Sequence, residues 1–260
     1  MIVKDQGIVL RTVPFGNTSQ IVVWLTADGG KLATAAKGSQ RPKSPFLGQY
    51  DLFYTCELLY YARAPRGIHI LKECTPLAPR PSLRHDWRAC AAASYAVSLF
   101  DRILPDGPAD SALYRLLDDT LDALADRTPG PAFLPRFELR ILRALGLAPD
   151  WTRCARCRSP LLLPGGSPTG PAAYLDASAG SLLCPACAEA TGPASTLALG
   201  APTLGILSAI TVGRTIPPTL PATVYRELRQ AVGLWLEHHA DLAPRPRAAA
   251  LEILAAASPG

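Results

Sequence analysis

The 260-residue sequence predicts an α+β multidomain protein: an N-terminal β-barrel, then a central and C-terminal α-helical domain into which a four-cysteine finger is inserted. Three observations carry this reading. Five strand-like segments separated by turn signals occupy residues 7–75. Helical periodicity takes over after Pro79-Arg80-Pro81. Two Cys-x-x-Cys pairs, Cys154 with Cys157 and Cys184 with Cys187, are separated by 26 residues. These shifts divide the chain into 1–80, 81–150, 151–192 and 193–260, the last completing the helical domain.

In the barrel region, residues 7–13 and 19–26 are rich in β-branched side chains and flank the turn Pro14-Phe15-Gly16-Asn17. Asp28-Gly29-Gly30 marks the next turn, and residues 31–36 form a third strand. Residues 50–62 and 68–75 read as two longer strands joined by Arg63-Ala64-Pro65-Arg66-Gly67. Five short strands in this span suit a closed barrel of the OB type, and an SH3-like barrel fits the count almost as well. The aromatic residues Phe15, Trp24, Phe53, Tyr54, Tyr60 and Tyr61 could stack on bases. A small barrel needs most of its rings for its interior, so no single ring is singled out.

Charge is unevenly placed. Residues 1–80 hold ten Lys or Arg against five Asp or Glu, and the remainder holds sixteen of each sign, so the whole +5 surplus is N-terminal. Such asymmetry points to a polyanionic partner, with a solvated basic face as the plain alternative. The most open basic segment is Lys37-Gly38-Ser39-Gln40-Arg41-Pro42-Lys43, which has no large apolar side chain. Its glycine and proline keep Lys37, Arg41 and Lys43 outside any core and available to phosphates. Arg11, Arg63 and Arg66 extend the expected cationic track.

Ser82 is the expected cap of a helix over 83–104, with Trp87, Cys90, Ala91, Ser94, Val97 and Ile103 on its packed side. A second helix over 111–125 repeats leucine at 113, 116, 117, 121 and 124, and Asp118, Asp119 and Asp122 then form a solvated face. A third, over 132–145, ends at Gly146 and carries Arg136, Arg140 and Arg143 on its polar side. Beyond the finger, 192–202 reads as a loop, followed by helices over 203–212, 223–239 and 246–257. His238 and His239 are expected to interact with a helix-end dipole.

The finger draws its reading from the cysteines. Each Cys-x-x-Cys knuckle can aim two thiolates at one tetrahedral ion, and two knuckles complete a shell of four. The 26 intervening residues contain four prolines, four glycines and few large apolar side chains, so this stretch is expected to lack a core of its own and to be held by metal. Two disulfides or four unrelated thiols are the other readings. The expected ion is one structural Zn2+ per chain; a catalytic zinc would need an open position that four cysteines do not leave. Cys56, Cys74 and Cys90 read as small packed hydrophobes.

Several function classes lose support. No uncharged apolar run approaches the roughly 20 residues of a membrane span. The N-terminus lacks the pattern of a signal peptide, which with the cysteine usage leads to the expectation of a cytosolic protein. There is no His-Glu-x-x-His, phosphate loop or nucleophile elbow, so no catalytic residue is named and the chain is read as a non-enzyme.

Together these pieces resemble the bacterial RecO family of recombination mediators. The carrying residues are Gly7-Ile8-Val9-Leu10, Pro14-Phe15-Gly16, Leu25-Thr26 with Gly29 or Gly30, and Ala36-Lys37-Gly38 with Arg41 and Ser44. Phe137-Glu138-Leu139-Arg140-Ile141-Leu142 with Leu145-Gly146, leading into Cys154-x-x-Cys157, is the most specific match. Gln40 departs from a position where many relatives are basic.

The resemblance implies an OB-fold DNA-binding barrel in a DNA repair protein of the cytoplasm and nucleoid. It implies binding to single- and double-stranded DNA, strand annealing, and help in loading a recombinase onto DNA coated by single-strand-binding protein. Implied partners are RecR and the acidic, aromatic-ended tail of single-strand-binding protein. For that tail a cleft with apolar walls and arginines is expected in the helical domain, with Arg84, Arg88 and Arg140 as candidates. The alternative is a zinc-stapled OB-fold adaptor that binds RNA or protein.

Overall fold

The computed structural model describes residues 1–63, 67–162, 170–176, 180–190, 196–214, 216–217, 219–239 and 244–256. The chain divides into two compact units, residues 1–129 with 246–260, and residues 130–245.

The first unit is built on five strands: β1 (Ile2–Phe15), β2 (Ser19–Thr26), β3 (Gly30–Ala36), β4 (Thr55–Tyr61) and β5 (Ile68–Ala78). They close in the order β1-β2-β3-β5-β4, with β3 and β5 parallel and every other pair antiparallel. This is an OB-like barrel, which decides against the SH3-like alternative. β1 starts five residues earlier than its β-branched run, because its first half is recruited by pairing with β4 (Ile2 opposite Tyr61) while its second half pairs with β2 (Phe15 opposite Ser19). A register shift between Val9 and Arg11 turns the strand from one neighbour to the other. Val9, Val22, Trp24, Leu58 and Leu71 fill the interior, and the buried Trp24 indole donates to Thr34 Oγ1 at 2.8 Å.

Two buried cations fasten helices to this barrel. α1 (Trp87–Ile103) packs on β1 and on α2 (Ser111–Asp126). Lys31 Nζ donates to the carbonyls of Asp101 and Leu104 at the end of α1 and lies 3.1 Å from the Asp101 carboxylate. Beside it, Lys31 and Gly107 exchange backbone hydrogen bonds of 2.9 and 2.8 Å. The preceding Gly30 must be glycine: at φ +70° any Cβ would stand 2.2 Å from the Gly107 carbonyl oxygen.

Arg80 is the second fastening. Its side chain, 3% exposed, donates to Phe53 O and Thr55 Oγ1 at the start of β4, and to Asp118 and Asp122 of α2 at 2.6 Å each. The expected solvated acidic face of α2 is corrected in part: Asp118 and Asp122, one turn apart, hold this arginine, while Asp119 is exposed and Asp122 stays 58% exposed. The start of α1 is corrected as well. Residues Pro81–Arg84 form a 3-10 turn, and Asp86 caps the helix by accepting from the backbone N–H groups of Arg88 and Ala89. The packed face of α1 includes Ala89, Ala92, Ala93, Ala96, Leu99 and Phe100 with Val97, which packs as expected, while Trp87 stays 47% exposed.

The second unit contains α3 (Phe133–Ala144), β6 (Ala173–Asp176), β7 (Ser181–Leu183), α4 (Pro185–Glu189), β8 (Leu197–Leu199), α5 (Ala201–Thr211) and α6 (Ala222–His239). The three strands form an antiparallel sheet in the order β7-β6-β8. β8 lies where a loop was expected. The finger does not lack a core: Leu175, Leu182 and Leu199 from the sheet share one with Leu139 and Leu142 of α3, Leu204 and Leu207 of α5, and Leu228, Val232 and Trp235 of α6. The expectation of few large apolar side chains is corrected too, since residues 158–183 hold six leucines and Tyr174, and the four-residue and three-residue strands bury Leu175, Leu182 and Leu183. His239 packs its ring on Trp235, with centroids 4.2 Å apart, and lies against Gly180 of the finger.

The final helix, α7 (Pro244–Ala255), groups from Pro246 onward with the first unit and buries Ala250, Leu251 and Leu254. Among the described residues no helix is long and apolar enough to cross a membrane.

Candidate nucleic-acid interface and metal centre

The positive charge of residues 1–80 sorts into two groups. Lys4, Arg11, Lys31, Lys72 and Arg80 each pair with a carboxylate. Lys37, Arg41, Lys43 and Arg63 are exposed and form no ion pair among the described residues. Arg66 lies outside the described residues. The expected track is thus narrower than the sequence alone implies. Arg11 is held by Asp101 at 2.6 Å, and the unpaired cations Lys37, Arg41 and Lys43 all belong to the loop after β3. Arg63 follows β4 and donates its backbone N–H to His69 Nδ1 at 3.1 Å.

Lys37 and Arg41 line an open cavity of about 470 Å3 together with Phe15, Gly16, Asn17, Thr18, Ser19 and Gly38. Lys43 and Arg63 are not in its lining. Two loops make the cavity, and hydrogen bonds tie them together. Gly38 donates to Ser19 Oγ at 3.0 Å and Gln40 donates to the Thr18 carbonyl at 2.9 Å. Gly38, at φ +68°, closes the turn, and a Cβ there would stand 3.4 Å from Arg41 Cδ and Nε. Among the described residues none in the lining is acidic, so an anion entering here meets two of their cations and none of their carboxylates.

The three arginines expected at a partner tail separate. Arg84 is bound to Asp51 through a direct ion pair, which raises its pKa. Arg88 places its guanidinium 5.5 Å from the centroid of the Trp87 ring. Both belong to the first unit. Arg140 belongs to the second, so the three are not one site within either unit.

Arg140 does line a cavity of about 400 Å3, with Arg136, Arg143, Arg214, Gly213, Ile210 and Ile216. Four guanidinium groups and two buried isoleucines thus surround one cavity. Burial lowers the pKa of Arg136, whose Nη2 donates to the Pro217 carbonyl. Arg143 lies against Gly213, where a Cβ would stand 2.7 Å from its Nη1. Positions 136, 140 and 143 follow one helix face, a pattern visible in the sequence. Arg214 joins them only through the packing of α5 on α3.

The four cysteines converge as expected. The Sγ atoms of Cys154, Cys157, Cys184 and Cys187 all lie within 4.8 Å of one another, and no disulfide links them. Cys157 and Cys184 are 3.7 Å apart. Ligands about 2.3 Å from a tetrahedral ion stand about 3.8 Å from each other, so the donor set fits a four-thiolate metal shell. Cys157 Sγ lies 3.2 Å from Ser159 Oγ, and that hydrogen bond lowers its pKa to about 6. Cys154 is fully buried within the shared core, so the shell and the packing hold the same knuckle.

Comparison with known proteins agrees with this architecture. The chain matches the family described as "Recombination protein O N terminal" over residues 1–80 and the one described as "Recombination protein O C terminal" over residues 84–248. It is 34% identical over 242 residues to the DNA repair protein RecO of Anaeromyxobacter sp. (strain K), covering 91% of both chains. It is 33% identical over 198 residues to that of Symbiobacterium thermophilum, covering 75% of both. With that of Moorella thermoacetica it shares 32% identity over 185 residues, 71% of this chain and 66% of the relative. The barrel, the helical region, the cysteine cluster and these matches have one common conclusion: the chain belongs to the RecO family of DNA repair proteins.

Proposed function

We propose that this chain is a non-catalytic recombination mediator: it binds and anneals single strands, binds duplex, and helps load a recombinase onto DNA coated by single-strand-binding protein. The observation that supports this most is the pair Lys37 and Arg41, exposed and, among the described residues, without carboxylate partners, around an open cavity whose described lining holds no acid. Cations that grip phosphates without reading base edges suit annealing, because they offset the repulsion of two backbones and leave the bases to pair. Lys43 on the same loop adds to the grip, with Arg63 and Arg66 as further contacts. Arg11, already held by Asp101, contributes less.

Two further parts belong to this reading. The arginine cavity of the second unit, which Arg140 lines, takes the acidic, aromatic-ended tail of single-strand-binding protein; its isoleucine walls suit the ring and its guanidinium groups the carboxylates. RecR is the other protein partner. Cys154, Cys157, Cys184 and Cys187 hold one structural zinc per chain, and their shared core gives it the role of a staple.

The test is annealing of complementary oligonucleotides precoated with single-strand-binding protein. The chain is expected to accelerate it, and replacement of Lys37, Arg41 and Lys43 by alanine is expected to abolish the gain. Unchanged annealing by the triple variant would remove the loop from the mechanism. Preference for RNA over DNA in direct competition would favour an RNA adaptor instead.

A further inference from the structure

From the cavity that Phe15 shares with Lys37 and Arg41, we infer that Phe15 is a stacking platform for an unpaired base of single-stranded DNA. The inference rests on the phosphate-gripping reading of that loop and assigns its preference for single strands.

Most other rings in this barrel are buried or half-buried. Trp24, Phe46, Phe53 and Tyr60 are at most 8% exposed. Tyr50 is half-buried and donates its hydroxyl to Gln20 Oε1 at 2.9 Å. Tyr61 is 42% exposed, but it pairs with Ile2 and Ile70 and does not line the cavity. Phe15 is 49% exposed and does line it. A lone exposed ring is ordinary on a protein surface. This one stands in a cavity with two cations and, among the described residues, no acid.

Position and rigidity strengthen the argument. Phe15 ends β1 at the β1–β2 turn, and in an OB barrel that loop is one of those that meet oligonucleotides. The turn is tied to the basic loop by the Gly38–Ser19 and Gln40–Thr18 hydrogen bonds, so the backbones that carry ring and cations are held side by side before any ligand arrives. Gly16 and Gly38 leave the floor without bulky side chains. A base on the ring places its own backbone beside Lys37 and Arg41. In a duplex both faces of each base are already stacked, so the ring has nothing to receive, and duplex binding uses the cations alone.

Three variants separate these contributions: Phe15→Ala, Phe15→Leu, which keeps apolar bulk but no aromatic face, and Phe15→Trp. Each is titrated by anisotropy with a single strand and a duplex of equal length at fixed salt, after thermal melting shows the fold intact. Alanine and leucine are expected to weaken single-strand binding by roughly 5- to 150-fold, the range for loss of one base–aromatic stack. Tryptophan is expected to keep the parental affinity, and duplex binding is expected to stay unchanged in all three. The emission of a strand carrying 2-aminopurine is expected to change more on binding to the parent than on binding to the leucine variant.

Equal loss on single strand and duplex, or parental single-strand affinity in the leucine variant, would overturn the assignment. The Lys37→Ala, Arg41→Ala double variant distinguishes the two levels of failure. If it binds single strands like the parent, the phosphate grip itself is wrong; if it binds weakly while Phe15→Leu does not, only the stacking role falls.

Discussion

Arg80 Nη2 donates to Asp118 Oδ1 at 2.6 Å, from a side chain 3% exposed to a carboxylate 30% exposed, and so joins the barrel to α2 at the point where the chain leaves β5. The same guanidinium satisfies Phe53 O and Thr55 Oγ1, and Thr55 in turn donates to Asp118 at 2.7 Å. Every member of the group depends on the arginine. Arg80→Ala is therefore expected to destabilise the first unit by about 3 kcal/mol, the lower part of the range for a broken buried pair, because water can reach the carboxylates. Asp122→Ala, which removes a partner 58% exposed, is expected to cost about 1 kcal/mol or less. Urea denaturation of the two variants measures the difference. Equal effects would show that the buried half of the network carries no special weight.

The loop cations give a second prediction, on salt dependence. Replacing Lys37, Arg41 and Lys43 by alanine removes three phosphate contacts, which lowers the slope of log affinity against log salt by about 2 for single strands. Arg11→Ala is expected to change the slope less, since Asp101 already neutralises that arginine, with Lys31 as the carboxylate's other partner. Binding isotherms between low and moderate salt, with strands of unrelated sequence, measure both. A larger effect from Arg11 than from the loop would move the interface across the barrel.

For the metal, freshly purified reduced protein is expected to contain about one zinc per chain by elemental analysis, and Cys154→Ser with Cys184→Ser is expected to contain none. The loss should reach well beyond the knuckles. Trp151 and Trp235 stand 6.1 Å apart in the core that contains Cys154, so chelation is expected to change tryptophan emission along with stability. Metal removal with no change in emission or in the unfolding midpoint would contradict the staple role.

How far the residues announced this arrangement varies with distance along the chain. β2 was legible to the residue, because a β-branched run bounded by two turns leaves little choice. The OB order was not, since it depends on β3 meeting β5 in parallel, a pairing that strand counts do not contain. Asp118 and Asp122 show the same limit. Their helical spacing marks a polar face, but only the fold brings buried Arg80 to that face. The strands of the finger were invisible for another reason: at three or four residues they are too short for a period to register. The cysteine cluster was fully legible, because its doubled Cys-x-x-Cys spacing is written in the sequence itself and brings four Sγ atoms together.

The arginine cavity supports the last prediction. An acidic peptide ending in an aromatic residue is expected to lose roughly 10- to 150-fold in affinity when Arg140 or Arg214 becomes alanine, the range for one charge-assisted hydrogen bond. Each of these residues presents a guanidinium to the same space of about 400 Å3, with Ile210 and Ile216 as its apolar walls. Ile210→Ser is expected to weaken the aromatic peptide and to spare one in which the terminal ring is replaced by alanine. Arg84→Ala serves as the contrast, because its guanidinium is bound to Asp51 and its loss is expected to leave the peptide affinity unchanged. Fluorescence anisotropy with the labelled peptide at two salt concentrations reads all of these. If Arg84→Ala weakens the peptide and Arg140→Ala does not, the tail belongs to the first unit, and the cavity beside α3 has another ligand.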